Sequence, residues 1–577
     1  MSIYTIHKKS GTYSELLETY GLANFLHKIF EAANMPDTDI VITDREYCFE
    51  VSTSIDITDE IVSKLKYFPP FKYIKQKADS DVSQYPDYYD YPKQYAWKKE
   101  QQDLLKKAYA IKDTQEKRNE IERINNIFET EKSRDIEYDV YSQIQVPNNF
   151  SGFDKLYSNF YANRENYPVL VKYVLDFYLC NNVKMPKDLV IAEANTTALQ
   201  FYNPNQGKGL KAAKANSVAG SNFKLPWISE AMKISGALTD MICQLVKVGG
   251  NYDMKVFVPE YKQLNFVNKH KIIPSLKKYS KGNTPIKIDV LCILLLARLL
   301  VENTPFVGRR RKIKDIVAGL HSVYQKDLGQ NKAVMNIGFI QIPDFIEIGC
   351  KDDIQDWIEI IDEQRSMISK MDEDKGAVQG LLMYRNFFSS SNLNDFFKFS
   401  FWYADYLMNQ FAKQKRPGIF TFKTLNKFYI SMDNQDFNLK DIIENEGFQA
   451  VAEAIRKSTV SLQYLQKDQR KYEIRYGIAQ ALQTKSKTKG DLAEYIGEFI
   501  SLYNAETSRK AETFRKAEKE DRAFRKNVRD DKLTLFYGLL DKYPSKLVGA
   551  MLASYGFALP KKEQSDDDED TINDEQE

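Results

Sequence analysis

At 577 residues, with 43% apolar and 28% charged side chains, the chain has the composition of a folded protein of roughly two to four domains, which excludes a wholly disordered or fibrous chain. The formal charge of +2 hides an asymmetry: residues 561–577 hold two lysines against nine acids, a balance of −7 that leaves +9 on residues 1–560. An acidic tail beside a basic body serves as a solubility device or as an internal competitor for a site that binds nucleic acid.

The predicted elements begin with a helix after Ser14, where Leu16, Leu17, Tyr20, Leu22, Phe25, Leu26 and Ile29 form one apolar stripe and Ser14 offers a capping hydroxyl. Two short strands follow, Ile40 to Ile42 and Tyr47 to Val51, joined through Asp44-Arg45-Glu46. Tyr85, Tyr88, Tyr89, Tyr91, Tyr95 and Trp97 then alternate with Asp and Pro, a pattern that favours packing over the stacking of bases. Lys98 to Glu137 reads as charged helix, an exposed hairpin or arm inserted into the N-terminal region.

The stretch Asn203-Pro204-Asn205-Gln206-Gly207-Lys208-Gly209-Leu210-Lys211 joins a turn, a glycine pair and a lysine cluster that Lys214 and Lys224 extend. Successive backbone amides and ammonium groups in such a loop suit phosphate. It is not a Walker loop, because Tyr202 stands where the first glycine belongs and Gly209 follows the lysine, so ATP hydrolysis is a poor reading. An ordinary solvated loop accounts for the same residues. As a binding element it offers Asn203, Gln206, Lys208, Lys211, Lys214 and Asn216.

Farther on, Met254 to Val258 and Ile337 to Ile348 look like strands, with an apolar helix around Leu291 to Leu300 to cover their sheet. Gly308-Arg309-Arg310-Arg311-Lys312-Ile313-Lys314 is the densest cationic cluster; Arg309, Arg310, Arg311 and Lys312 suit a clamp on a phosphate backbone, or a solvated loop or helix end. From Leu381 the texture is helical, with Phe396, Phe399, Trp402 and Tyr403 on one wide apolar face, then further helices through Phe448 to Leu462 and Leu492 to Tyr503. Beyond Tyr503, Arg509, Arg515, Arg522 and Arg525 are interleaved with Glu506, Glu512, Glu518 and Asp521. A basic stripe that follows a nucleic-acid strand and a self-paired surface account equally well for that spacing.

Cys48, Cys180, Cys243, Cys292 and Cys350 form no Cys-x-x-Cys pair and the four histidines no helical pair, so neither a zinc site nor a disulfide framework is expected, and no cofactor. The run Val290 to Val301 is broken by Arg298 and is too short for a bilayer, and the N-terminus lacks an apolar signal core; a cytoplasmic protein without membrane attachment is expected. Asp253, Glu260 and Lys262 vaguely match an Asp and Glu-x-Lys arrangement, so a metal-dependent nuclease is the main rival to a binding role, with a purely structural scaffold the second.

Several short pieces share an order: Gly21-Leu22-Ala23, Asn203-Pro204 with Gly207-Lys208-Gly209, Arg385-Asn386-Phe387-Phe388, and Gly447-Phe448 with Ala454-Ile455-Arg456. They continue through Tyr472-Glu473-Ile474-Arg475-Tyr476-Gly477, Tyr503-Asn504-Ala505-Glu506 and Ser554-Tyr555-Gly556-Phe557. In that order and spacing the chain resembles the large subunit of type I CRISPR Cascade, in the branch associated with type I-B and with the subtype called MYXAN. Residues 79–145 and the acidic tail have no counterpart in the resemblance.

The resemblance implies a non-catalytic subunit that binds CRISPR RNA near its 5′ handle, beside the subunit capping that handle and the Cascade backbone subunits. It would read the protospacer-adjacent motif on double-stranded target DNA, help open the duplex, and recruit a helicase-nuclease or transposition proteins. Met408 or Met432 would be the internal starts for a separately produced small subunit. The expected fold is α+β: a mixed α/β body over 1–380 with a charged helical insert at about 79–145, a helical connector over 381–445, a C-terminal helical bundle over 446–560, and a disordered acidic tail over 561–577.

Overall fold

The computed structural model describes residues 2–111, 113–135, 140, 150–179, 183–197, 199–200, 202–206, 224–279, 284–303, 310–328, 332–433, 437–465, 470, 472–516 and 525–560. The acidic tail lies outside them. Helices outweigh strands and crowd the second half, which makes the fold α+β. Among the described residues two compact units form, one within residues 2–303 and 313–342, the other within 310–312 and 343–560.

The first unit carries two antiparallel four-stranded sheets. The first sheet orders β1 (Ser2–His7), β3 (Cys48–Thr53), β2 (Ile40–Asp44) and β6 (Gln263–Asn265). The second orders β8 (Lys332–Gln341), β7 (Val317–Asp327), β5 (Asn251–Tyr261) and β4 (Ile242–Val248). The strand read over Met254 to Val258 is thus the centre of β5. The apolar run Ile337 to Ile348 is not one strand: β8 stops at Gln341, Pro343 brings no N–H to a ladder, and pairing resumes only at Glu347–Ile348.

Helix α1 (Ser14–Ala32) is buried continuously from Ser14 to Leu26, well beyond one stripe. Ser14 does not cap it. The N-cap is Tyr13, without a side-chain bond, and the Ser14 hydroxyl instead donates to Asn203 Oδ1 at 2.6 Å. The insert holds helices α2 (Tyr91–Tyr109) and α3 (Thr114–Asn126), the second continuing into a π-helical turn at Ile127–Glu131. Ala108, Ile124 and Phe128 form the small core of this hairpin. Tyr85 stacks on Tyr73 at 3.8 Å between ring centroids and meets Tyr157 and Tyr161 edge-on, so these rings pack against each other. Tyr157 and Tyr161 belong to α4 (Phe150–Ala162), which precedes α5 (Tyr167–Leu179).

Helix α6 (Trp227–Asp240) crosses α1 with the two backbones in contact. A Cβ built on Gly21 would lie 1.8 Å from Met232 O, and one on Gly236 would lie 1.9 Å from Leu17 O. Only glycine allows that approach. Helix α7 (Phe266–Tyr279) precedes α8 (Pro285–Asn303), which packs on the second sheet as the apolar run around Leu291 implies. Between them Lys255 and Asp289 form a buried ion pair at 2.8 Å. Among the described residues no helix is long and apolar enough to cross a membrane.

The second unit begins ahead of Leu381. Helix α9 (Lys351–Ser369) already belongs to it, because Phe345 and the buried Trp357 join the aromatic core built by α10 (Val378–Ser390), α11 (Leu393–Ala412) and α12 (Phe422–Met432). Phe345 lies parallel to Phe387 at 5.6 Å and edge-on to Phe428, and Phe396 touches Phe387, Phe399 and Phe428. The acids that speckle α9 disguise this membership in the sequence. The longer helices that follow are α13 (Glu446–Ser458), α14 (Ile478–Lys485), α15 (Lys489–Lys516), α16 (Asp530–Lys542) and α17 (Ser545–Tyr555).

Candidate nucleic-acid interface

The chain enters the Gly-Lys stretch from a buried polar knot. Asn203 is 2% exposed. Its Oδ1 accepts from Ser14 and from Lys233 Nζ at 3.0 Å, while its Nδ2 donates to Leu199 O and to both oxygens of Glu230. Lys233 Nζ also lies 3.1 Å from Glu230 Oε1, and the Leu199 N–H donates to the other oxygen. Burial pushes the Glu230 carboxyl up, against the opposing pull of Lys233 and of the Leu199 and Asn203 donors. Asn203 therefore does not face a nucleic acid, as its place in a polar turn suggested; it anchors the chain just ahead of Pro204. A short 3-10 turn at Pro204–Gln206 follows. The side chain of Gln206, and Lys208, Lys211, Lys214 and Asn216, lie outside the described residues.

The arginine cluster is ordered by strand pairing within the second unit. Arg311 and Lys312 pair with Ile348 and Glu347. Lys312 Nζ lies 2.8 Å from Asp344, and Arg310 Nε lies 3.7 Å from Glu347 with its side chain 84% exposed. Asp344 and Glu347 thus offset part of the charge. Among the described residues Arg310 keeps an open guanidinium whose one long ion pair is easily exchanged for a phosphate. Arg309 lies outside the described residues.

The basic stripe past Tyr503 divides. Arg509 is exposed on α15, whereas Arg522 and the side chain of Arg515 lie outside the described residues. Arg525 is 1% exposed and is a correction to the reading of a single nucleic-acid-binding stripe. It sits in a non-helical stretch, where Nε and Nη2 donate to Lys457 O at 3.1 and 2.9 Å and Nη1 to Glu506 at 2.9 Å. The rings of Tyr472 and Tyr503 stand 4.0 and 5.1 Å from its guanidinium carbon. Burial raises Glu506, but the Glu473 N–H and the Arg525 and Arg475 charges outweigh it and hold the carboxyl below its usual range.

The proposed nuclease residues are not brought together. Asp253 accepts from the Tyr324 hydroxyl and, at 2.9 Å, from the Asp327 N–H. Glu260 pairs instead with His321, in a half-buried cluster with Asp44 and Lys8. Seven residues along an extended strand put Asp253 and Glu260 about 23 Å apart and on opposite faces. Among the described residues no group of three or more His, Cys, Asp or Glu is placed to hold a metal. Within the cluster, burial raises Asp44, while His321 and Lys8 overcome the effect of burial on Glu260 and lower it.

Sequence reasoning passed over two features: that cluster, assembled from four separated strands and loops, and Lys413, Lys415 and Arg416, a cationic turn too short to rise above the lysine-rich background. All three of those cations are exposed.

No protein-family model matches the chain, and no curated protein sequence matches it.

Proposed function

We propose that the chain is the non-catalytic large subunit of a CRISPR RNA-guided surveillance complex of the type I Cascade kind. The observation that carries this reading is where the ordered motifs fall in the fold. Gly21 forms a helix crossing, Asn203 the buried knot, Phe387 the aromatic core, and Tyr472, Tyr503 and Glu506 the Arg525 clasp. Gly447 likewise faces the Lys532 carbonyl, 2.3 Å from where a Cβ would stand. Motif residues that form packing points, in a mixed body followed by a helical unit, support the architecture implied by the resemblance.

In this role base pairing with the guide supplies most of the sequence specificity, and the protein reads a short motif on the duplex. Gln206, Lys208 and Asn216 are the proposed readers, with Arg309, Arg310 and Arg311 as the clamp on the phosphate backbone. The partners are CRISPR RNA, target DNA, the backbone and handle-capping subunits, and a helicase-nuclease or transposition protein. Lys208→Ala tests the reading. It is expected to weaken binding on targets with the correct flanking motif, whereas equal loss on every sequence would assign Lys208 to phosphate alone. Binding that does not weaken with salt would favour a protein-only scaffold, since phosphate contacts release counterions.

A further inference from the structure

We infer that the exposed turn Lys413-Gln414-Lys415-Arg416 is the binding site for this chain's own acidic segment, 561–577. The inference is independent of the function proposed above.

The turn is built by a closed helix end. Gln414 adopts a left-handed conformation with φ 60°, the Gln414 N–H donates to Phe411 O at 2.9 Å, and the Lys415 N–H returns to Gln410 O at 3.0 Å. This holds three cations on one turn, all exposed and none in an ion pair among the described residues. Several other lysines of the unit are matched, Lys423 with Asp356 and Glu359, Lys427 with Asp353, and Lys542 with Asp441. The carbonyl end of α11 offsets only about half an elementary charge. Most of the charge on the turn therefore lacks a counterpart.

The chain leads into its acidic segment beside that turn. Leu559 bridges to Thr421 in parallel, its N–H donating to Phe420 O and its carbonyl accepting from the Phe422 N–H, each at 2.9 Å. Arg416 precedes Phe420 by four residues, a span of at most about 14 Å. From Leu559 to Asp566 the chain reaches up to about 25 Å. Asp566-Asp567-Asp568-Glu569-Asp570 can thus meet the two ammonium groups and the guanidinium without moving any packed element. A tether this short gives an effective concentration on the order of millimolar, enough to fill a site that would be weak between separate molecules.

Zero-length carbodiimide coupling of the full-length protein, with the linked peptides mapped by mass spectrometry, tests the inference. Amide links from Lys413 or Lys415 to the acids of 566–570 are expected to exceed links from the exposed Lys487 and Lys546. They should vanish in about 1 M salt, where the screening length falls to roughly 3 Å. In a full-length variant with those five acids changed to Asn or Gln, acylation of Lys413 and Lys415 should rise several-fold while Lys487 stays constant. Links spread evenly over all four lysines, no links at all, or unchanged acylation would each overturn the assignment.

Discussion

Gly21→Ala distinguishes a packing glycine from an ordinary one by the sign of its effect. In an unconstrained helix interior the change is worth up to about 1 kcal/mol in favour of the folded state. In α1 the new Cβ would stand 1.8 Å from the Met232 carbonyl oxygen, where ordinary contact begins near 3.4 Å. The obstacle is backbone, so α1 and α6 must separate by about 1.5 Å and loosen the contacts around Leu17 and Met232. Overpacking of this kind costs about 1–3 kcal/mol or more. Set against the propensity gain, the net loss is about 2 kcal/mol, a factor of about 30 in an opening equilibrium. Peptide-resolved hydrogen exchange reads it without assuming that the two units unfold together. Amides of α1 and α6 are expected to exchange about 30-fold faster. Gly538→Ala supplies the contrast, because a Cβ there meets nothing within 4 Å; α16 should exchange no faster and up to about fivefold slower. Unchanged or slowed exchange in α1 after Gly21→Ala would refute the backbone-contact argument.

Asp353 carries a pH prediction. Although burial alone would raise it, the Lys427 charge and the N–H groups of Gly349 and Cys350 hold its carboxyl at about 2. A depressed folded-state value stabilises above the unfolded value of about 3.9 and loses that contribution as pH falls toward 2. In urea titrations, Asp353→Asn should therefore cost about 1–2 kcal/mol at pH 6 after allowance for partial exposure, and almost nothing at pH 2; a pH-independent cost would contradict the ionic account. Asp289→Ala, which strands Lys255 in the interior, should cost about 3–5 kcal/mol, whereas Lys255→Met with Asp289→Leu should cost far less. Equal losses in thermal unfolding would exclude an uncompensated charge as the cause. Arg525→Ala should speed hydrogen exchange around Tyr472 and Tyr503 by one to two orders of magnitude, about 1.5–3 kcal/mol for charge-assisted bonds. Arg525→Lys should not restore protection, since one ammonium cannot reproduce a fork that makes three hydrogen bonds to two separated acceptors between two rings; full rescue by lysine would show that charge alone suffices.

The elements most legible in the sequence were those fixed by local periodicity. The apolar stripe after Ser14, the β-branched runs at 40–42 and 254–258, and the aromatic face after Leu393 all became the expected helix or strands. Strand β1 was missed because the exposed Ile3 beside buried Tyr4 and Ile6 blurs its alternation. Long-range partners explain the larger errors. Nothing near Asn203 announces that Ser14, Glu230 and Lys233 will enclose it, and nothing near Arg525 announces Tyr472, Tyr503 and the Lys457 carbonyl. Both residues were read as surface groups from polar local sequence, yet each is buried because its polar atoms find several partners at once. Of the candidate interface, the structure describes exposed side chains at Arg310 and Arg509, while the Gly-Lys loop was legible only as a sequence.

The central claim is tested most directly by selecting labelled duplex DNA with the reconstituted CRISPR RNA complex, with and without this chain, from targets randomised beside the guide-matched segment. Enrichment of one short flanking motif only when the chain is present is the expected result. Identical selection in both samples would contradict motif reading by this protein.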